Sequence, residues 1–146
     1  MVYSALLVAK YIIRRCAERG KSISNLKIQK ILYFVQAEFL VDLGVCCFPE
    51  TIEAWDFGPV VPVVYRAYRI YGSANIPAET ANGLRPIRSV DMNRINGIVD
   101  ECCEYSASQL VEITHHQSPW RDAYHRPGVN NEITPDSIRA FFTEAN

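Results

Sequence analysis

Apolar positions return along most of the chain with the period of helices. From Ser4 onward, Leu6, Ala9, Ile13 and Cys16 recur every three or four residues while Lys10, Arg14, Arg15, Glu18 and Arg19 fill the other side. This pattern predicts an amphipathic helix that starts at a serine cap and stops at Gly20. A second helix is predicted from the cap Ser24 to Leu43, with Gly44 as its stop. Leu26, Ile28, Ile31, Leu32, Phe34, Val35, Phe39 and Leu40 cover most of its circumference, which marks it as central and buried. Residues 46–57 break the period, and short runs around Pro49-Glu50 with alternation at Ile52, Ala54 and Asp56 predict a small antiparallel β-hairpin. Gly58-Pro59 then turns the chain. Val60 to Tyr71 reads as a helix with Pro62 in its first turn, Val63, Val64, Ala67, Tyr68 and Tyr71 along its packed side, and Gly72 as its end.

Residues 73–90 carry Gly, Asn, Ser and two prolines without a period, and read as the longest surface loop and the least ordered part. Asp91 is expected to cap a helix through Ile95, Ile98, Val99, Cys102 and Cys103, and Ser106 another through Leu110 and Ile113. Ser118 as cap with Pro119 in the first turn opens a short helix at Trp120. Ile133-Thr134-Pro135-Asp136 supplies a hydrophobic residue, a cap, a first-turn proline and an acid at the positive end of the dipole, so a last helix follows through Ile138, Phe141 and Phe142. No repeat or low-complexity tract interrupts this order. The expected architecture is mainly α, a single domain over residues 1–146 in which a compact bundle of about six helices carries one small antiparallel β-hairpin near residues 46–57.

Composition narrows the class. With 146 residues and 49% of them apolar, the chain is long enough for one core and short for two. Its longest apolar stretches, such as Ile31 to Val35, fall far below the ~20 residues that cross a bilayer, so no membrane partner is expected. The start lacks the basic region of a signal peptide and Lys10 interrupts its apolar run, which makes the cytoplasm the expected compartment. Five cysteines, Cys16, Cys46, Cys47, Cys102 and Cys103, form an odd set with two adjacent pairs, a poor disulfide framework that reads as buried thiols. Adjacent cysteines chelate one ion badly, so even beside His115 and His116 no metal is expected, and no cofactor is implied.

Charge is uneven although the net value is −1: residues 1–45 hold seven Lys/Arg against three Asp/Glu, and residues 91–146 hold four against nine. Halves of opposite sign neutralise each other across a fold, whereas phosphate binding needs a concentrated basic face, so a specific nucleic-acid partner is not expected. No phosphate-loop, dinucleotide, zinc-hydrolase or serine-hydrolase motif occurs, and His115 has no nucleophile and companion acid signalled around it. The chain is therefore read as a binding protein and not an enzyme.

Three stretches carry a resemblance. Ser24-Asn25-Leu26-Lys27-Ile28-Gln29-Lys30-Ile31-Leu32-Tyr33 is followed by Glu53-Ala54-Trp55-Asp56-Phe57-Gly58-Pro59-Val60-Val61-Pro62 with Tyr65, and then by Thr114-His115 with Pro119-Trp120. In this order and spacing, from about residue 4 to about 142, the chain resembles the Panacea domain, the SocA-like, phage-associated family also called GepA-like. Phe57 stands where an aromatic, often tyrosine, is expected, and Ile28 and Ile31 replace common leucines; both departures are conservative in packing. The resemblance implies a mainly helical fold with a small β element. It also implies an antitoxin, often prophage-encoded, that neutralises a cognate protein toxin by direct association, with a homodimer left open.

The residues that carry the resemblance become the candidate partner contacts: Trp55, Asp56, Phe57, Pro59, Val61 and Tyr65 from the central block, with Lys27, Lys30, His115 and Trp120 from the flanking ones. Read residue by residue, the aromatic group Trp55, Phe57 and Tyr65 is assigned to the core first and to a partner surface second. Lys27 and Lys30 are expected to pair with a carboxylate such as Glu53 or Asp56, and His115 to satisfy carbonyls at a helix end. Two further function classes stand beside the antitoxin. One is a DNA-binding regulator of its own operon, in which residues 17–24 are the turn of a helix-turn-helix motif and Asn25, Lys27 and Gln29 read bases. The other is an adaptor that delivers a toxin to a protease.

Overall fold

The computed structural model describes residues 3–83 and 85–144. Among them lie seven α-helices, α1 (Ala5–Glu18), α2 (Asn25–Leu43), α3 (Pro62–Tyr68), α4 (Ser89–Cys102), α5 (Ala107–His115), α6 (Ser118–His125) and α7 (Pro135–Glu144). Three short strands accompany them, β1 (Ile52–Trp55), β2 (Gly58–Val60) and β3 (Glu132–Ile133). The fold is mainly α, as expected, with one helix more than the expected six.

Helix ends follow their local chemistry. Ser4 Oγ accepts from the Leu7 N–H and Ser24 Oγ from the Lys27 N–H, while Gly44 closes α2 in the left-handed region at φ 71°. Ser106 and Gln109 form a reciprocal capping box on α5, and Thr134 Oγ1 caps α7 by accepting from the Ser137 N–H at 3.1 Å. Two expected caps shift. Gln117 occupies the cap of α6, which leaves Ser118 and Pro119 inside its first turn. Asp91 does not cap α4; it sits buried in the first turn and accepts from the Tyr3 hydroxyl at 2.5 Å, tying the amino-terminal segment to α4.

α2 runs through the middle and touches α1, α3, α4, α5, α7 and β2. Ile28, Ile31, Leu32, Tyr33 and Val35 on it are wholly buried, as its nearly continuous apolar surface predicts. On α3 the packed side is Val61, Val64 and Tyr68, while Val63 and Ala67 face outward.

The hairpin is displaced from its expected place. β1 pairs antiparallel with β2, Trp55 facing Gly58, and on its other side with β3, Ile52 facing Ile133. The order is β2-β1-β3, so Gly58-Pro59 belongs to a strand and the reversal falls at Asp56-Phe57. Residues 46–48 are no strand because α2 and the amino terminus claim their backbone. Gln36 Oε1 accepts from the Cys47 and Phe48 N–H groups, its amide donates to the Phe48 carbonyl, and the Tyr3 N–H donates to the Cys47 carbonyl.

The segment 73–90, expected to be a loose loop, is also tied down. The Ile76 N–H donates to the Ile23 carbonyl at 2.8 Å, Ala78–Ala81 forms a 3-10 turn against α1, and Ile76, Ala81 and Ile87 are buried. Leu84 of that segment lies outside the described residues. All five cysteines are free, and Cys16 and Cys103 meet in the core with sulfurs 3.8 Å apart.

Candidate partner-binding site

The signature stretches converge on the hairpin tip. From below, one face of α2 holds the β2–α3 corner. Lys30 Nζ donates to the Pro59 carbonyl at 2.9 Å, Gln29 Oε1 accepts from the Val61 N–H at 2.9 Å, and Asn25 donates to the Tyr65 carbonyl at 3.1 Å. Gln29 donates in turn to Asn25 at 2.8 Å, so these two form one bonded pair under the corner, with Lys30 holding it beside them. Gly58 leaves room for this, because Lys30 Cε and Thr114 Oγ1 occupy the space a side chain would need.

From the side, α5 and α6 clasp the tip. Trp120 Nε1 donates to the Trp55 carbonyl at 2.8 Å, and Tyr124 donates to the Asp56 carboxylate at 2.6 Å. His115 Nε2 lies 3.0 Å from the Asp56 carbonyl, and since a carbonyl only accepts, Nε2 carries the proton. The rings of His115, Trp120 and Tyr124 stack in one column, with centroids 4.0 and 4.5 Å apart. Asn131 closes the third side: its amide donates to carbonyls of Ala123, Arg126 and Pro127, and its own carbonyl accepts from the Ala54 N–H.

What this clasp presents is a groove of about 530 Å³ lined by Leu26, Trp55, Phe57, Val60, Tyr65 and Arg69, with Asn130 at its edge in the left-handed region at φ 53°. Trp55 is half-buried, meets Tyr65 edge to face at 5.0 Å and donates its indole N–H to Glu53. Phe57 is 67% exposed at the tip. Core packing, the first expectation for this aromatic group, therefore fails: Phe57 stands in solvent, and Trp55 and Tyr65 form a wall. With a half-buried ring, Trp55→Ala should cost ~1–2 kcal/mol in urea unfolding, below the ~3–5 kcal/mol of a fully buried aromatic. A loss in the higher range would mean that Trp55 belongs to the core after all.

The other candidates divide. Asp56 and Phe57 are exposed at the tip, and Trp55 and Tyr65 line the groove. Pro59, Val61, Lys30 and Trp120 are buried, which corrects their assignment as contacts: they hold the tip from inside and offer no surface. Among the described residues, neither lysine meets a carboxylate. Lys30 bonds the Pro59 carbonyl and Lys27 the Tyr105 carbonyl, while Glu53 and Asp56 are taken by Trp55 and Tyr124. Burial without a counter-charge lowers the Lys30 amine from 10.5 to about 7. His115 does satisfy a carbonyl, but that of Asp56 across the fold.

Residue-level reasoning missed Leu26, Arg69 and Asn130 in the groove and Tyr124 in the clasp. Tyr124 had a signal, since it lies four residues after Trp120 on one helix face. Asn130 had none. Among the described residues, no group of three or more His, Cys, Asp or Glu gathers to hold a metal, and no helix is long and apolar enough to cross a membrane.

The family described as "Antitoxin SocA-like, Panacea domain" matches residues 28–121, a span that starts in α2, contains the hairpin and ends in α6. Antitoxin SocA of Caulobacter vibrioides (strain NA1000 / CB15N) is 36% identical over 137 residues, covering 86% of this chain and 73% of that protein. No solved structure matches. A family match over more than half of the chain, and identity at this level over most of both chains, lead to one conclusion: the chain belongs to the SocA-like antitoxin family with the Panacea domain.

Proposed function

We propose that this protein is an antitoxin that neutralises a cognate protein toxin by direct binding, and that the hairpin-tip groove makes the contact. The antitoxin role rests on membership of the family and on the likeness to antitoxin SocA. One observation carries the choice of surface: the groove gathers Trp55, Tyr65, Arg69 and an exposed Phe57, the residue types that dominate binding energy at protein interfaces. It is also held rigid by the clasp, so little ordering is lost when a partner enters. The reading as a DNA-binding regulator has no such support, because Asn25 and Gln29 are buried and bonded to each other and Lys27 is bonded to Tyr105. Those are the side chains that would have to read bases.

The test pairs the protein with the growth-inhibiting product of a neighbouring gene. Co-expression should restore growth without lowering the amount of toxin; a fall in toxin abundance would instead indicate delivery to a protease. Phe57→Ala should unfold within ~0.5 kcal/mol of the parent, as exposed substitutions do. It should bind the toxin at least ~2 kcal/mol more weakly, roughly thirtyfold. Unchanged affinity in a folded Phe57→Ala variant would remove the groove from the interface.

A further inference from the structure

A second groove, of about 320 Å³, shares no residue with the first and runs between α2 and α4. These helices are antiparallel. Arg94 early in α4 pairs with Glu38 and Asp42 late in α2, and Tyr105, beyond the end of α4, accepts from Lys27 early in α2. One wall of the groove is Phe34, Ala37, Glu38 and Val41; the other is Ile98, Glu101, Cys102 and Tyr105. Both walls have the spacing i, i+3, i+4, i+7, the first wholly on α2 and the second on α4 up to Cys102 with Tyr105 in the turn just beyond it. Side chains of α5 and α7 complete the lining.

Its shape and charge select an occupant. The walls are ridges of helical period, into which the ridges of a further helix fit, and being helical they offer no free backbone edge to an extended strand. From the first wall residue to the last, rises of ~1.5 Å per residue span roughly two helical turns of an occupant. The apolar surface is open, with Val41 38% and Tyr105 40% exposed. The ionisable side chains in the lining with charge at neutral pH are both acids, Glu38 and Glu101, and no lysine or arginine lines the groove. Glu38 is partly met by Arg94, whereas Glu101 forms no ion pair among the described residues. Glu104 is exposed three residues beyond it. Two cations stand by, Arg94 on Glu38 and Asp42 and Lys27 on the Tyr105 carbonyl, against the acids Glu38, Asp42, Glu101 and Glu104, so the rim keeps a negative excess that attracts a basic partner and repels an acidic one.

We propose that the groove between α2 and α4 docks a basic amphipathic helix of a partner protein, at a surface separate from the hairpin tip. The occupant carries large apolar residues at i, i+3, i+4 and i+7, with lysine or arginine flanking them toward Glu38 and Glu101.

The probe is a fluorescein-labelled helical peptide of about 15 leucines and lysines, long enough to hold a helix when docked. One control has the same composition scrambled so that the leucines share no face; the other has glutamate in place of lysine. By fluorescence anisotropy, the protein should bind the amphipathic basic peptide at least ~tenfold more tightly than either control. Val41→Arg and Glu101→Lys, both at exposed positions, should each weaken it about tenfold while melting like the parent, and Glu101→Lys should improve binding of the glutamate peptide. Phe57→Ala should leave this affinity unchanged, which keeps the result independent of toxin binding. Equal binding of the scrambled peptide, undiminished binding by a folded Val41→Arg variant, or a loss on Phe57→Ala would each overturn the proposal. So would a dimer of the free protein that Val41→Arg dissociates, since a second copy would then be the occupant.

Discussion

Gly58→Ala should destabilise the domain by about 3–5 kcal/mol, a large share of the ~5–15 kcal/mol that holds a domain of ordinary stability. Two causes add. Gly58 has φ 98°, a backbone conformation that costs an L side chain ~1–3 kcal/mol. A Cβ there would also lie 2.6 Å from Lys30 Cε and 2.9 Å from Thr114 Oγ1, and overfilling a packed site costs ~1–3 kcal/mol more. A lysine tip is ordinarily free to swing aside. Lys30 is wholly buried and bonded to the Pro59 carbonyl, so moving it breaks the bond that holds β2 on α2. Urea unfolding of Gly58→Ala, alone and with Lys30→Ala, separates the causes: the steric part due to Lys30 should be relieved in the double variant, while the contact with Thr114 and the backbone part should remain. A Gly58→Ala variant within ~1 kcal/mol of the parent would show that the tip yields, and that it is no rigid platform.

Between pH 7 and about 9 Lys30 should add ~2 kcal/mol of stability, and the buried thiols of Cys16, Cys47 and Cys102 offset about half of it, so the net rise is ~1 kcal/mol. The Lys30 amine is lowered from 10.5 to about 7 by burial, so above pH 7 the folded chain has released a proton that the unfolded chain keeps. Wherever the unfolded state binds more protons, stability increases with pH, at about 1.4 kcal/mol per unit for one group. Below pH 7 the amine is protonated in both states and its contribution is flat. Above pH 9 the sign reverses, because burial pushes the thiols of Cys16, Cys47 and Cys102 from 9.0 up to about 12. There the unfolded chain loses protons that the folded chain retains, and stability falls. The maximum should therefore stand near pH 9. Lys30→Met should abolish the rise from 7 to 9 and, at pH 7, offset part of the ~1–3 kcal/mol lost by leaving the Pro59 carbonyl without its donor. Urea midpoints from pH 6 to 10 for both proteins measure this. A Lys30→Met profile parallel to that of the parent would place the titration elsewhere.

Each of these effects depends on a contact that no local pattern announces. Where the sequence decided structure alone, the interaction was short. Ser4, Ser24, Ser106 and Thr134 cap helices by bonding an N–H three residues on, and Gly20 and Gly44 end them by adopting positive φ. The apolar circumference of α2 announced its central burial for the same reason, since a helix exposes every third or fourth residue to one neighbour. Asp91 misled this reasoning: a good capping residue was drawn instead to the Tyr3 hydroxyl, 88 positions away.

The candidate site lies at the other extreme. The signature residues could be picked out along the chain, but whether each is exposed or buried was decided by bonds spanning 29 positions for Lys30 to Pro59, 59 for His115 to Asp56 and 65 for Trp120 to Trp55. The hairpin moved for a related reason. Gln36 satisfies the backbone at Cys47 and Phe48, so the strand began only where no side chain of α2 competed for its donors. Helix identity, helix ends and the central place of α2 were thus determined by the sequence through interactions within a turn or two. The exposure of Phe57, the burial of an uncompensated Lys30 amine and the meeting of Leu26, Arg69 and Asn130 in one groove were decided only when the chain closed on itself, because each depends on which distant backbone group reaches a side chain first.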